Sequence, residues 1–386
     1  MLLRGRVLTG ADVLPDGLVA TSGDRLDYVG PATGYDGAVP PPSEQLILPG
    51  LVDVHNHGGG GFSFPDATAP EEVQAAVRPH LLAGTTSLIA SLVTAAPQTL
   101  LARAELLAGQ CEAGVLAGIH AEGPFLSHER RGAQSPDHLL PGDPGFVREL
   151  TAAARGHLRT MTVAPEVAGK AALTLAELGV VPSLGHTAGT TEQAETLIAQ
   201  VAPVLRERGL TMTATHLFNG MPPLHHRQPG PVAACLAAAA RGDMVVELVA
   251  DGVHLSPALV RSLVPLLPTA VAFVTDAMAA AGMPDGDFQL GPMLVTVTKG
   301  VARLHTEDGS EASIAGGTSR LLDVIRTSVH GGVALADAVR AATLTPARAL
   351  GLPAGLLEAG ALADVLVVDA DLRPVRVFRA GLPAEA

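Results

Sequence analysis

The chain carries histidines and acids at points where apolar runs stop. Leu51-Val-Asp-Val-His55-Asn56-His57 places two imidazoles two residues apart. On a strand, residues i and i+2 share a face, so both rings can converge on one metal ion. His-x-His is a common pattern, and the bland alternative is a pair of loop histidines ahead of the Gly58–Gly61 turn. Gly118-Ile-His120-Ala-Glu122-Gly-Pro124 offers a hard carboxylate at a strand end, able to bridge two ions; alone, Glu122 would read as a surface salt-bridge partner. His120 shares its face and is expected beside the site as a hydrogen-bonded neighbour. Ser183-Leu-Gly-His186 and Ala214-Thr-His216 each put one histidine after an apolar run. Singly these would be structural. With Glu122 they form a His₂-carboxylate set with room for a water, the make-up of a catalytic zinc centre. Asp276, in Ala270-Val-Ala-Phe-Val-Thr-Asp276, stands where a general base can deprotonate that water and return the proton to a leaving amine. Its alternative is the N-cap of a following helix.

Something must hold these groups on one surface. Between Pro49 and about residue 352, short apolar β-branched runs alternate with Ala/Leu-rich segments such as Pro70–Ala83, Pro97–Ala108, Thr191–Gln200 and Ser319–His330. That alternation predicts βαβ units and a parallel sheet. Eight runs end near His55, Ser91, His120, Pro165, His186, His216, Asp251 and Asp276, and six of those ends carry His or Asp. Eight parallel strands close a (β/α)₈ TIM-like barrel, whose active site lies beyond the C-terminal ends of its strands. The expected fold is therefore α/β, a metallohydrolase barrel over 49–352. The ends differ: Leu2–Leu8 and Leu18–Val29, with turns at Gly10, Asp16-Gly17 and Gly23-Asp24, and then Ala363–Val368 and Val375–Arg379, read as strands. They predict one small β-sandwich domain assembled from 1–48 and 353–386.

Composition narrows the function. Hydrophobic residues make up 47% of 386, enough for a large core, and only 16% are charged. The formal net charge of −13 opposes generic nucleic-acid binding, so an anionic substrate must be met by a few local cations. Two cysteines, Cys111 and Cys235, suit a reducing compartment. Met1–Gly10 has no signal-peptide core and no apolar run approaches 18 residues, so the expected location is the cytoplasm, without membrane contact. Lysines are limited to Lys170 and Lys299. Neither ends the fourth strand, where several metallohydrolases of this architecture place a bridging carboxylated lysine, so a bridging role would fall to Glu122.

His120-Ala-Glu-Gly-Pro-Phe, Gly185-His186-Thr, Thr215-His-Leu-Phe-Asn-Gly-Met-Pro-Pro-Leu-His-His-Arg227, Ala250-Asp-Gly-Val-His254 and Val274-Thr-Asp-Ala-Met together resemble the N-acetylglucosamine-6-phosphate deacetylases of the amidohydrolase superfamily. The resemblance runs from about Pro49 to Thr345. It implies Glu122, His186 and His216 as metal ligands and Asp276 as the catalytic acid/base, with His55 and His57 available for a second ion. It implies one or two divalent ions per subunit, Zn²⁺ first and Fe²⁺ or another as substitutes. It also implies a substrate pocket lined by Ala133, Gln134, Asn219, Gly220, His254 and the Ser313-Ile314-Ala315-Gly316 turn. Arg227 would bind the sugar phosphate, across the interface of a homodimer. One departure is Gln134, where the family carries histidine; glutamine keeps hydrogen bonding but cannot titrate. The expected reaction is deacetylation of N-acetyl-D-glucosamine 6-phosphate. Another N-acetyl sugar or an N-acyl-amino acid is the alternative substrate, and a non-catalytic barrel scaffold the remote one.

Overall fold

In the computed structural model, which describes residues 1–305 and 312–385, eight strands form one parallel sheet in chain order. They are β1 (Leu51–Asn56), β2 (Thr85–Leu92), β3 (Gly118–Glu122), β4 (Leu158–Val163), β5 (Val181–Leu184), β6 (Met212–Ala214), β7 (Met244–Leu248) and β8 (Val271–Phe273). Every residue of these strands except Arg159 is buried, as expected for a parallel sheet covered on its outer face by helices. β8 and β1 share no regular ladder, yet the barrel closes just beyond them. The Asp276 amide donates to His55 O at 2.9 Å and the His57 amide to Ala277 O at 2.7 Å. Beside this seam the Thr275 hydroxyl donates to Asp53 Oδ2 at 2.6 Å. The site residues at both ends of the sheet are thus stitched directly to each other.

The helices run longer than the local pattern predicts: Pro97–Glu112 and Thr191–Arg206 continue past the expected ends at Ala108 and Gln200. Thr190 caps the second, its side chain accepting from the Gln193 amide. After β8 comes an element the sequence reading did not separate from the barrel. It is a three-stranded antiparallel sheet of Gly286–Leu290, Met293–Thr298 and Val301–Leu304, which packs its own apolar cluster against Val93 and Met278. Gly291-Pro292 and Lys299-Gly300 were its turn signals.

Both termini build one seven-stranded sheet, ordered Leu382–Pro383, Pro374–Arg379, Val365–Val368, Leu46–Pro49, Leu2–Leu8, Val13–Ser22 and Arg25–Pro31. It folds over until Leu26 N donates to Ala361 O at 2.9 Å and Ala363 N to Asp24 O at 2.8 Å, so its far edge meets the chain entering Val365–Val368. The stretch Leu18–Val29 is split between two strands at Gly23-Asp24, where a turn was expected. Asp16-Gly17, read as a turn, lies inside Val13–Ser22. The reason is a close approach: a Cβ at Gly17 would stand 2.5 Å from Val7 Cγ2, so glycine is needed for pairing there rather than for turning. The strand Val365–Val368 joins the two domains. Val365 and Val367 face the small core, while Leu366 and Val368 belong to the main one, which is why four apolar residues run without alternation.

Candidate active site

β3 ends in Glu122, and the turns after β5 and β6 carry His186 and His216. His186, His216 and Asp276 all hold left-handed backbone, with φ of 46°, 30° and 48°. Non-glycine residues rarely adopt it, and such strain concentrates where side chains must be aimed. Here it turns each side chain inward just past its strand. The Nε2 atoms of His186 and His216 lie 3.1 Å apart, and each is 3.0 Å from Glu122 Oε1. Three ligands bound tetrahedrally at about 2.0–2.1 Å would sit roughly 3.3 Å apart, so the donor spacing fits one ion. His55, His57 and Glu122 make a second group: His55 Nε2 is 3.1 Å from His57 Nε2, which is 3.3 Å from Glu122 Oε2. Asp276 Oδ1 lies 3.4 Å from both of those nitrogens.

Outer partners fix the rings. His55 Nδ1 meets Glu247 Oε2 at 3.1 Å, His57 Nδ1 meets Ser91 O at 3.2 Å and His186 Nδ1 meets Arg130 O at 2.8 Å. With Nδ1 donating to each acceptor, the Nε2 lone pair is left for the shared centre. His216 Nδ1 is buried without a partner. His120 has both nitrogens engaged, to Ser91 Oγ at 2.9 Å and Thr162 Oγ1 at 2.8 Å. It is a buttress beneath the site and not a ligand.

The electrostatics ask for positive charge. Burial opposes ionisation of Glu122, but the imidazoles of His186 and His55 and hydrogen bonds from His186 and His216 hold its carboxyl well below the usual range. Burial likewise opposes ionisation of Asp276, and His55 and His57 overcome it. In the other direction, His55 is pushed up to about 10: burial lowers it, and Asp276, Glu122 and Glu247 together outweigh that. Three carboxylates drawn into one dry space are the donor set of a cation centre.

The cluster floors a cavity of about 350 Å³ whose walls include Ala133, Gln134, Asn219, Gly220, His254, Ile314 and Gly316. Gly220 has φ +61°, and a Cβ there would press 3.0 Å from His186 Nδ1, so only glycine lets this wall lie against the ring. Asp251 accepts from the Val253 and His254 amides and meets His254 Nδ1 at 2.8 Å, fixing that ring at the cavity edge. Two expected lining residues lie elsewhere. Ala315 is buried in the apolar cluster behind the wall, with Met278 and Val295. Arg227 is exposed on the loop after Gly220 and does not line its own chain's cavity. Two contributors, Glu247 and Arg130, went unassigned in the sequence. Glu247 was signalled by a lone acid inside Met-Val-Val-Glu-Leu. Arg130 is the one Lys or Arg lining the cavity among the described residues, and Ser313 lines it as part of the expected turn.

The cavity's ligand set, on a barrel of this order, has its counterpart in known proteins. Residues 46–384 match the amidohydrolase family. This chain belongs to that family. The amidohydrolase is a hydrolase, and its relatives are amino-sugar deacetylases. Its structure matches, with a TM-score of 0.90 and 40% identity over 100% of this chain and 99% of the other, a mutant N-acetyl-D-glucosamine-6-phosphate deacetylase from Mycobacterium smegmatis in complex with N-acetyl-D-glucosamine-6-phosphate. The N-acetylglucosamine-6-phosphate deacetylase of Danio rerio is 32% identical over 346 residues, 86% of this chain and 82% of the relative. The N-acetylgalactosamine-6-phosphate deacetylase of Escherichia coli O157:H7 is 31% identical over 346 residues, 87% of each.

The two thiols of this amidohydrolase lie outside the site. Cys111 and Cys235 are free and sit in the helices Pro97–Glu112 and Gly230–Arg241, and burial pushes each up to about 12. The thiolate is the nucleophile, so an alkylating reagent at pH 8 is expected to leave activity unchanged over hours. Inactivation in step with labelling of either cysteine would contradict this.

Proposed function

We propose that this amidohydrolase deacetylates N-acetyl-D-glucosamine 6-phosphate, giving D-glucosamine 6-phosphate and acetate. The observation that carries the reading is the convergence of Glu122, His186 and His216 at the floor of a cavity that Asp276 also lines and whose walls carry both polar and apolar groups. The 40% identical M. smegmatis protein was solved with this very compound. Glu122, His186 and His216 would hold a divalent ion, Zn²⁺ first with Fe²⁺ or another as alternatives, and His55, His57 and Glu122 a second. When bound, the ion supplies Lewis acidity, acidifying water and polarising a carbonyl oxygen.

The remaining steps belong to the chain's own side chains. Asp276 takes a proton from the attacking water as its oxygen bonds to the acetamide carbon. The same carboxyl then gives that proton to the nitrogen as the C–N bond breaks, so acetate and a free amine leave. His254 is held through Nδ1 by Asp251 and lines the cavity, so its other nitrogen is the group available to donate to the developing oxyanion or to the sugar. Asn219 ties back to His216 O through Nδ2 at 3.1 Å, which fixes its amide at the cavity wall.

Acetate release from N-acetylglucosamine 6-phosphate, N-acetylgalactosamine 6-phosphate and free N-acetylglucosamine tests this. The expected result is a kcat/KM preference of at least about tenfold for the glucosamine phosphate ester, since a charge-assisted contact contributes roughly 1.5–3 kcal/mol. Comparable rates on the free sugar would overturn the phosphate assignment, and the galacto epimer tests the E. coli relative's substrate. No acetate from any of the three would overturn deacetylation.

Two arginines serve the phosphate in this reading. Arg130 lines the cavity of its own chain. Arg227, exposed on a loop with half-exposed Leu224, serves a second copy in a cytoplasmic homodimer, and the two free thiols fit that reducing compartment. A complementation experiment separates the routes. Arg227→Ala and Asp276→Asn subunits, each impaired alone, should regain activity when mixed and reassembled. Only a heterodimer combines one intact Asp276 with the partner's Arg227. No recovery in demonstrated heterodimers would place Arg227 outside the partner's site.

A further inference from the structure

Glu122 serves two ligand groups with two oxygens, and the structure does not treat those oxygens alike. Oε1 faces His186 and His216 at 3.0 Å, with His55 Nε2 farther off at 3.7 Å, and among the described residues it accepts a hydrogen bond from no other side chain. Oε2, on the His57 side, also takes a 2.6 Å hydrogen bond from Gln134 Nε2. Gln134 is only 3% exposed, and the orientation of its amide is not open to a flip. Its Oε1 accepts the Thr94 backbone N–H at 2.7 Å, and that group can only donate. The NH₂ end therefore has to face Glu122. Thr94 braces the same residue again, its hydroxyl donating to Glu122 O at 3.1 Å. Glu122 is thus held at its backbone carbonyl by Thr94 and at its carboxylate by Gln134.

We infer that Gln134 makes the two ligand groups unequal, leaving Glu122–His186–His216 as the tight metal site and His55–His57–Glu122 as the weak one. The hydrogen bond occupies one lone pair of Oε2 and neutralises part of its charge, so the second group shares an encumbered oxygen. Oε1 stays free and already aimed, which preorganises the first group. Gln134 is thus a positioning residue that acts through Glu122. The reading rests on the cluster being a metal centre.

The test is Zn²⁺ titration of chelator-stripped full-length protein against a competing chelating dye. Wild type should show two classes of site differing by at least about tenfold, in line with what outer partners contribute to metal affinity. His216→Ala should remove the tight class and His57→Ala the weak one. Gln134→Met fills the same space without either hydrogen bond and should narrow the ratio between the classes by about tenfold. Gln134→Asn, one methylene short of Glu122, should do the same if the Met variant fails to fold. One ion in wild type and two in a Gln134 variant would also support the role. Equal constants in wild type, one ion in both proteins, or a ratio within twofold of wild type in the variants would overturn it. No Zn²⁺ uptake by any form would overturn the metal centre itself, whereas two classes with an unmoved ratio overturn only the role of Gln134.

Discussion

Asp276→Asn should lower kcat by about 10²–10⁴-fold, the range a positioned acid/base contributes, while bound metal stays near the wild-type amount. The substitution is close to isosteric, and Asn tolerates the left-handed backbone found here better than most residues, so the turn beyond β8 should survive. What is lost is the oxygen that can accept and return a proton. The position fits the role: Asp276 Oδ1 stands 3.4 Å from both His55 and His57 Nε2, at the boundary between the buried cluster and the cavity. Single-turnover acetate release with metal analysis on the same preparation checks it. Activity within tenfold of wild type would end the acid/base assignment. Loss of metal together with activity would make Asp276 chiefly a ligand.

Glu122→Gln should cost more. Glu122 is the one side chain common to both ligand groups, and its carboxylate faces four imidazoles. An amide in its place carries no charge and turns an NH₂ toward nitrogens that must present lone pairs. Both metal content and activity should fall by well over the 10–100-fold typical of outer partners. Elemental analysis after gel filtration, paired with activity at saturating added Zn²⁺, measures this. A variant that retains one ion per subunit and near-normal turnover would show that the histidines suffice, and the bridging role would be wrong.

Much of the site was written locally. His55 and His57 share a face because a strand repeats every two residues, and the structure brings their Nε2 atoms to 3.1 Å. Apolar runs ending in His or Asp marked the barrel rim, although His186, His216 and Asp276 lie two or three residues past the strands, in strained turns that periodicity cannot signal. The hairpin sheet 286–304 was missed because its alternation was absorbed into the barrel pattern. Asp16-Gly17 was misread because a glycine required by the approach of Val7 looks the same in sequence as one that turns the chain.

By itself the sequence determined which residue types stand at the strand ends, in what order, and so a barrel with a His₂-carboxylate centre. Spacing along one strand is a local property, and local periodicity sets which face a side chain takes. Only the tertiary structure decided what each group touches. His55 meets Glu247 across 192 residues of chain, and Gln134 bridges Thr94 to Glu122. Those contacts follow from barrel closure and sheet register, which bring distant segments together and have no signature within any single one.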